Sequence, residues 1–188
     1  MVYIVLGEGF EEVEAIVPGD LLRRAGVSVC YAGIGGTRVQ GGHGIVVEAD
    51  CTVEQMDLTN LDMIVLPGGL GGVQSIRKSQ AAMDAVEFAG ENGKYVAAIC
   101  AAPTILAELH LTDGKQAVCY PGMEDQMGSA LVTTEKPAVQ DGKVITGASA
   151  GCAVPFAKLL ICAMAGQEAA ERVITAIAIR EQTVTAQA

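Results

Sequence analysis

The stretch Lys94-Tyr95-Val96-Ala97-Ala98-Ile99-Cys100-Ala101-Ala102-Pro103-Thr104 decides how the chain is read. An apolar, strand-like run stops at a cysteine, and small residues followed by proline then open a helix. Proline suits the first helical turn, where its missing N–H would lack a partner anyway. Cys100 is therefore expected at a strand-to-helix turn, at or just before a helix N-terminus. Unpaired backbone N–H groups and the helix dipole favour an anion there, so the thiol is expected to ionise well below its ordinary value.

The same rhythm extends in both directions. Val2–Leu6 reads as a strand, Val13–Ala25 as a helix, Val27–Ala32 as a strand, Met63–Leu66 as a strand and Val73–Asn92 as one helix. Val96–Ile99 leads into a helix reaching about Leu109, and Val144–Thr146 into another from about Cys152 to Ala165. Near-continuous apolar strands alternating with helices predict a mostly parallel sheet buried on both faces, hence an α/β three-layer sandwich. The glycine-rich stretch 33–50 reads as a β-hairpin insertion, Ala117–Val118 and Leu131–Thr133 as short strands, and Glu168 to about Arg180 as a last helix. Thr183–Ala188 reads as a frayed tail. With no repeat or linker, residues 1–188 read as one domain.

At 188 residues a single core can bury roughly 70% of the surface that the unfolded chain exposes. Hydrophobic residues make up 51% and charged residues 18%, yet no apolar run approaches the ~18–20 residues that span a bilayer. No membrane partner is expected. Met1 runs directly into the first strand without a basic, cleavable leader, which predicts a cytoplasmic location. A net charge of −10 argues against nucleic acid, whose binding rests on clustered Lys and Arg. The six cysteines form no CxxC pair and no zinc spacing, so buried free thiols and no metal are expected.

In an open parallel sheet, ligands collect beyond the carboxyl ends of the strands. Four turns should meet there: Gly7–Glu14, Pro67–Gly72, the turn at Cys100, and Gly147–Gly151. Gly68 and Gly69 let the backbone approach a ligand and aim N–H groups at a developing charge, or else serve only as a tight connection. A phosphate cradle fits less well, because neither GxGxxG nor a GK[ST] ending is present. Of Glu11, Glu12 and Glu14, two are expected on a solvated helix start and one facing inward toward Cys100. Cys100 itself reads either as a nucleophile or as a core thiol ending a buried strand. His110 lies about 15 Å along the helix from Cys100, so it reads as a surface or C-cap residue. His43 reads as a turn residue in the hairpin.

Together, Glu11-Glu12-Val13-Glu14 with Pro18, Arg23-Arg24-Ala25-Gly26, Val65-Leu66-Pro67-Gly68-Gly69, Ala97-Ala98-Ile99-Cys100-Ala101-Ala102-Pro103 and Thr146-Gly147 with Gly151 resemble the DJ-1/PfpI superfamily in its DJ-1 and ThiJ/YajL-like branch. The resemblance covers almost the full length. It implies a flavodoxin-like sandwich of the class I glutamine amidotransferase type, a nucleophile elbow at Cys100 and a homodimer. It also selects Glu14 as the buried acid beside the thiol, with the backbone amides of Gly68, Gly69 and Ala101 facing it.

Departures from the pattern bear on chemistry. Ala101 stands where the peptidase and amidotransferase branches carry histidine, which argues against a peptidase or glutaminase. Tyr120 replaces a histidine found in part of the family, and His43 and Ala148 stand where pocket arginines are found elsewhere. Tyr120, His43 and Cys119 are thus the remaining candidate pocket residues, with Cys152 near the same edge. The resemblance implies a cofactor-free enzyme acting on small reactive dicarbonyls or their adducts, of glyoxalase or deglycase type. The alternative it implies is a redox-sensing stress protein or chaperone that uses oxidation of Cys100.

Overall fold

A computed structural model of the chain describes residues 1–178. Its elements, in order, are β1 (Val2–Leu6), α1 (Glu12–Arg24), β2 (Val29–Gly33), β3 (Arg38–Gln40), β4 (Val46–Glu48), β5 (Cys51–Thr52), β6 (Met63–Leu66), α2 (Leu70–Lys78), α3 (Gln80–Glu91), β7 (Tyr95–Ile99), α4 (Pro103–Glu108), β8 (Gln116–Ala117), β9 (Leu131–Val132), β10 (Ala138–Asp141), β11 (Val144–Gly147), α5 (Ala153–Ala165) and α6 (Gln167–Ala176). The main sheet runs β10-β11-β7-β6-β1-β2-β5. Every pairing in it is parallel except β10 with β11.

Alternation along each strand builds two cores. Val2, Ile4 and Leu6 of β1, Met63 and Val65 of β6, and Ala97 and Ile99 of β7 pack toward α1, α5 and α6. Their neighbours Tyr3, Val5, Ile64, Leu66, Val96 and Ala98 pack toward α2, α3 and α4. Side chains of successive strand residues point to opposite faces, so a strand apolar throughout must be covered twice. This is the three-layer arrangement that the apolar runs predict, of the flavodoxin-like kind that the family resemblance implies.

The expected helix over 73–92 is two helices. Ser79 takes an extended conformation between them, ends α2 and caps α3 by accepting the Ala82 N–H, a role suited to serine. Two strands escape the sequence reading: β5, only two residues long, and β10, whose polar Gln140 and Asp141 lie at the sheet edge. The hairpin forms as β3 and β4, paired antiparallel. The expected helix end at Arg180 and the tail 183–188 lie outside the described residues. None of the described helices is long and apolar enough to cross a membrane.

Strand order reverses at the centre of the sheet: from β1 the chain goes first to β2 on one side and later to β6 on the other. A crevice opens beyond the carboxyl ends of strands at such a switch point. The turns after β1, β6 and β7 surround it.

Candidate active site

Three local devices hold Cys100. Its backbone adopts φ 67°, in the left-handed region, which costs a non-glycine residue about 1–3 kcal/mol. The turn is fastened on both sides, since the Cys100 N–H donates to Gly147 O at 2.9 Å and the Cys100 carbonyl accepts from Tyr120 N–H at 2.7 Å. The Thr104 hydroxyl donates to Ala101 O at 2.7 Å and itself accepts from Arg77, which also grips Glu108. The thiol is thereby lifted out of the end of β7 and points into the crevice rather than into the core.

Glu14 reaches the same place from the first turn of α1. Its side chain is fully buried, and Oε2 accepts the Gly68 N–H at 2.7 Å. Oε1 is also buried and has no hydrogen-bond partner of regular geometry. Gly68 is required here: a Cβ would lie 2.5 Å from Glu14 Oε2 and 2.8 Å from Cys100 Cβ, so only a bare backbone fits between carboxyl and thiol. The two glycines divide the work that the sequence assigns jointly to them. Gly68 N–H serves Glu14, whereas the amides of Gly69 and Ala101 face the thiol.

Electrostatics correct one expectation. Burial, then the Glu14 charge and hydrogen bond, push the Cys100 thiol up to about 12, against the downward pull of the Ala101 and Gly69 amides. The helix dipole does not prevail, because α4 begins only at Pro103 and spans six residues, while the carboxylate sits beside the sulfur. Burial lifts Glu14 to about 7, opposed by the Cys100 hydrogen bond and the Gly68 amide. The two groups compete for one proton, since two adjacent anions in a desolvated site are costly. Above neutrality Glu14 is the charged member and Cys100 holds the proton, with the carboxylate placed to accept it.

A cleft of about 250 Å³ opens over the sulfur, lined by Glu11, Gly69, Leu70, Cys100, Ala101, Tyr120 and Met123. Tyr120, a candidate pocket residue, lies in this lining and is 48% exposed. Leu70 and Met123 are not legible in the sequence as lining residues, since an apolar residue on a rim carries no signal distinguishing it from core. Among the described residues, no lysine or arginine lines the cleft. Two expected pocket residues stand outside this lining. Cys119 is buried in a small apolar cluster with Ala107, Ala117 and Met127, and His43 lies behind Glu11. Cys152 sits near Ser149.

The acidic start of α1 also departs from expectation. Glu12, expected on a solvated face, is 5% exposed: its Oε1 accepts from His43 N–H at 2.7 Å and its Oε2 from His43 Nδ1 at 2.9 Å. The hairpin folds back over the helix start, so Glu12 latches the two together. Glu11 lies 3.7 Å from the same ring. Oxygen and nitrogen atoms of Glu11, Glu12 and His43 fall within 4.8 Å of one another, a spacing that a metal ion tolerates, but the latch hydrogen bonds already account for it. His110 is exposed and pairs with Asp113. All six cysteines are free, and only Cys119 is buried, the other five being half-buried.

A sharply turned cysteine beside a buried carboxyl at the switch point of a flavodoxin-like sandwich defines a class: α/β proteins that carry a thiol at a strand-to-helix turn with an acid next to it. The chain belongs to the DJ-1/PfpI family, whose sequence model matches residues 1–163. It is 36% identical to protein dj-1beta of Drosophila melanogaster, over 90% of this chain and 92% of that one. A deglycase of Pyrococcus abyssi is 32% identical over 77% of this chain and 87% of its own. Among solved structures, oxidized Toxoplasma gondii DJ-1 superposes with a TM-score of 0.89 at 30% identity, covering 94% of this chain and 96% of that one.

Proposed function

We propose that the chain is a cofactor-free enzyme that converts small reactive dicarbonyls, or their adducts, to hydroxy acids. The observation that carries this reading is the Glu14–Cys100 pair: a carboxyl that titrates at about 7 beside a protonated thiol, with two backbone amides facing the sulfur. In a dicarbonyl such as methylglyoxal, the sulfur adds to the aldehyde carbon while Glu14 accepts the thiol proton. The new alkoxide lies toward the Gly69 and Ala101 amides, which stabilise developing negative charge. Glu14 returns that proton to the alkoxide to give the hemithioacetal, and the freed carboxylate then takes the proton of the former aldehyde carbon and delivers it to the neighbouring carbon, converting the hemithioacetal to a thioester. Water cleaves the thioester to lactate and restores the thiol.

Pocket composition supports a small neutral substrate. Among the described residues the cleft lining holds no cation to pair with a carboxylate or phosphate, and its one charged residue, Glu11, repels both. The name of the Pyrococcus relative fits a carbonyl-adduct chemistry of the same kind. The family resemblance further supports a homodimer, and the exposed Val13, Ile16, Ile45 and Val46 on α1 and the hairpin offer apolar surface for it.

Lactate formation from methylglyoxal, without glutathione or metal, tests the proposal in wild type and Cys100→Ala side by side. Turnover that vanishes in the variant and rises with pH through about 7 in the wild type is the expected result. Equal or negligible rates overturn it and favour the redox reading, in which Cys100 is oxidised to sulfinate and a protonated Glu14 donates to the new oxygen.

A further inference from the structure

A second thiol centre lies away from the Cys100 cleft. Cys30 of β2 and Cys51 of β5 bring their sulfurs to 3.4 Å, across two parallel strands whose register pairs Ala32 with Cys51. Both side chains are half-buried, so small solutes reach them. The approach is fixed from both flanks. Asp50 donates its N–H to Tyr31 O at 2.9 Å, and its carboxylate accepts from Tyr31 N–H at 2.8 Å and from Arg23 at 3.2 Å. On the other side Thr52 caps the short helical turn over Val53–Gln55. The residues before Cys51, around Cys30 and after Cys51 are thus each tied down, which holds the two thiols at high effective concentration.

We propose that Cys30 and Cys51 form a reversible dithiol–disulfide pair that is oxidised by hydroperoxides independently of Cys100. One sulfur attacks the terminal peroxide oxygen; the O–O bond breaks, leaving a sulfenic acid and, for hydrogen peroxide, one molecule of water. The second sulfur then attacks the sulfenic sulfur, the S–O bond breaks, and the departing hydroxide takes the second thiol proton as another water. Two thiols lose two electrons and two protons, and one peroxide gains them. Either sulfur takes the first oxidation, and its partner 3.4 Å away resolves it. Bonding needs the sulfurs to close to about 2.05 Å, a movement of side-chain rotation size. The loop so closed contains the whole β3–β4 hairpin, including His43, and the pair therefore staples the base of the element that covers the start of α1.

The chain itself supplies a clean assay. Trypsin separates the two cysteines at Arg38, placing Cys30 in the peptide 25–38 and Cys51 in 39–77, each with no other cysteine. Wild type and Cys100→Ala are treated with graded hydrogen peroxide, blocked with N-ethylmaleimide before unfolding, digested without reductant and weighed. The expected product in both proteins is the linked pair of peptides, about 2 Da lighter than their sum, released by dithiothreitol and roughly tenfold more abundant than any other cysteine pairing. Cys30→Ser or Cys51→Ser removes it. Recovery of both peptides singly alkylated at doses that oxidise wild-type Cys100 overturns the proposal. So does separate sulfinate on either residue, or linkage of either to a different cysteine.

Discussion

Glu12 and Glu14 sit two residues apart in the first turn of α1, and their side chains are almost equally buried, yet their protons behave in opposite ways. Burial pushes both up. At Glu12 the His43 ring and three backbone N–H groups outweigh it and hold the carboxyl below its ordinary value. At Glu14 one amide and one thiol are too few, and the carboxyl rises to about 7. Glu14 also lies deeper beneath the surface than Glu12, so depth of burial and the count of donors together decide which carboxyl keeps its proton. A satisfied carboxylate is a strut, and an under-satisfied one is a proton carrier.

Removing the carrier is expected to have the largest effect. Glu14→Gln keeps the acceptor for Gly68 N–H but loses the exchangeable proton, and dicarbonyl turnover should fall about 10²–10⁴-fold, the usual contribution of a positioned acid–base group. Steady-state lactate formation reads this directly. Glu12→Gln leaves that rate unchanged at pH 7, and a comparable loss in the two variants would erase the distinction between strut and carrier.

Stability gives the next test. A carboxyl raised from 4.5 to about 7 keeps its proton in the folded chain while the unfolded chain releases it. The folded state is therefore penalised progressively as pH climbs from about 4.5 to 7, and the penalty is constant above that. The full span corresponds to about 3 kcal/mol. Urea unfolding of wild type and Glu14→Gln should show the variant gaining about that much relative to wild type between pH 4.5 and 8. Parallel stability curves would mean that Glu14 titrates normally. In Cys100→Ala, which removes a hydrogen bond that favours the charged carboxyl, the same window should extend to higher pH.

Much of this was legible in the chain, and the losses have identifiable causes. Runs such as Val2–Leu6 and Met63–Leu66 announce doubly covered strands because every residue is apolar, and the turns after them locate the site. The break at Ser79 is hidden because helix-favouring residues flank it on both sides, so only its local cap reveals it. The turn that carries Cys100 is legible but its direction of shift is not: the helix start is visible in sequence, whereas the carboxylate that opposes it comes from far along the chain. Residue chemistry alone leaves three glutamates open, and family resemblance selects Glu14. The role of Glu12 was hidden for a related reason, since its partner His43 lies in a glycine-rich hairpin whose fold-back no periodicity predicts.

The strut offers the finest tests. Glu12→Gln cuts a charged hydrogen bond to the His43 ring and weakens those from backbone amides, an expected loss of about 2 kcal/mol measured by urea unfolding at pH 6. The ring itself reports smaller changes. In the wild type its hydrogen bond to Glu12, with the Glu11 and Glu12 charges, raises the His43 value above 6.5. A histidine raised in this way adds stability that is complete below its unfolded value and is lost as pH rises through its folded one. Followed by NMR of the imidazole protons, the His43 midpoint should fall in Glu12→Gln and fall further when Glu11→Gln is added, because both carboxylates face the ring. It should not move in Glu14→Gln, whose carboxyl points the other way, into the Cys100 cleft. A shift of His43 on changing Glu14 would show that the two carboxyls share one electrostatic site, and that strut and carrier are not separable roles on this helix.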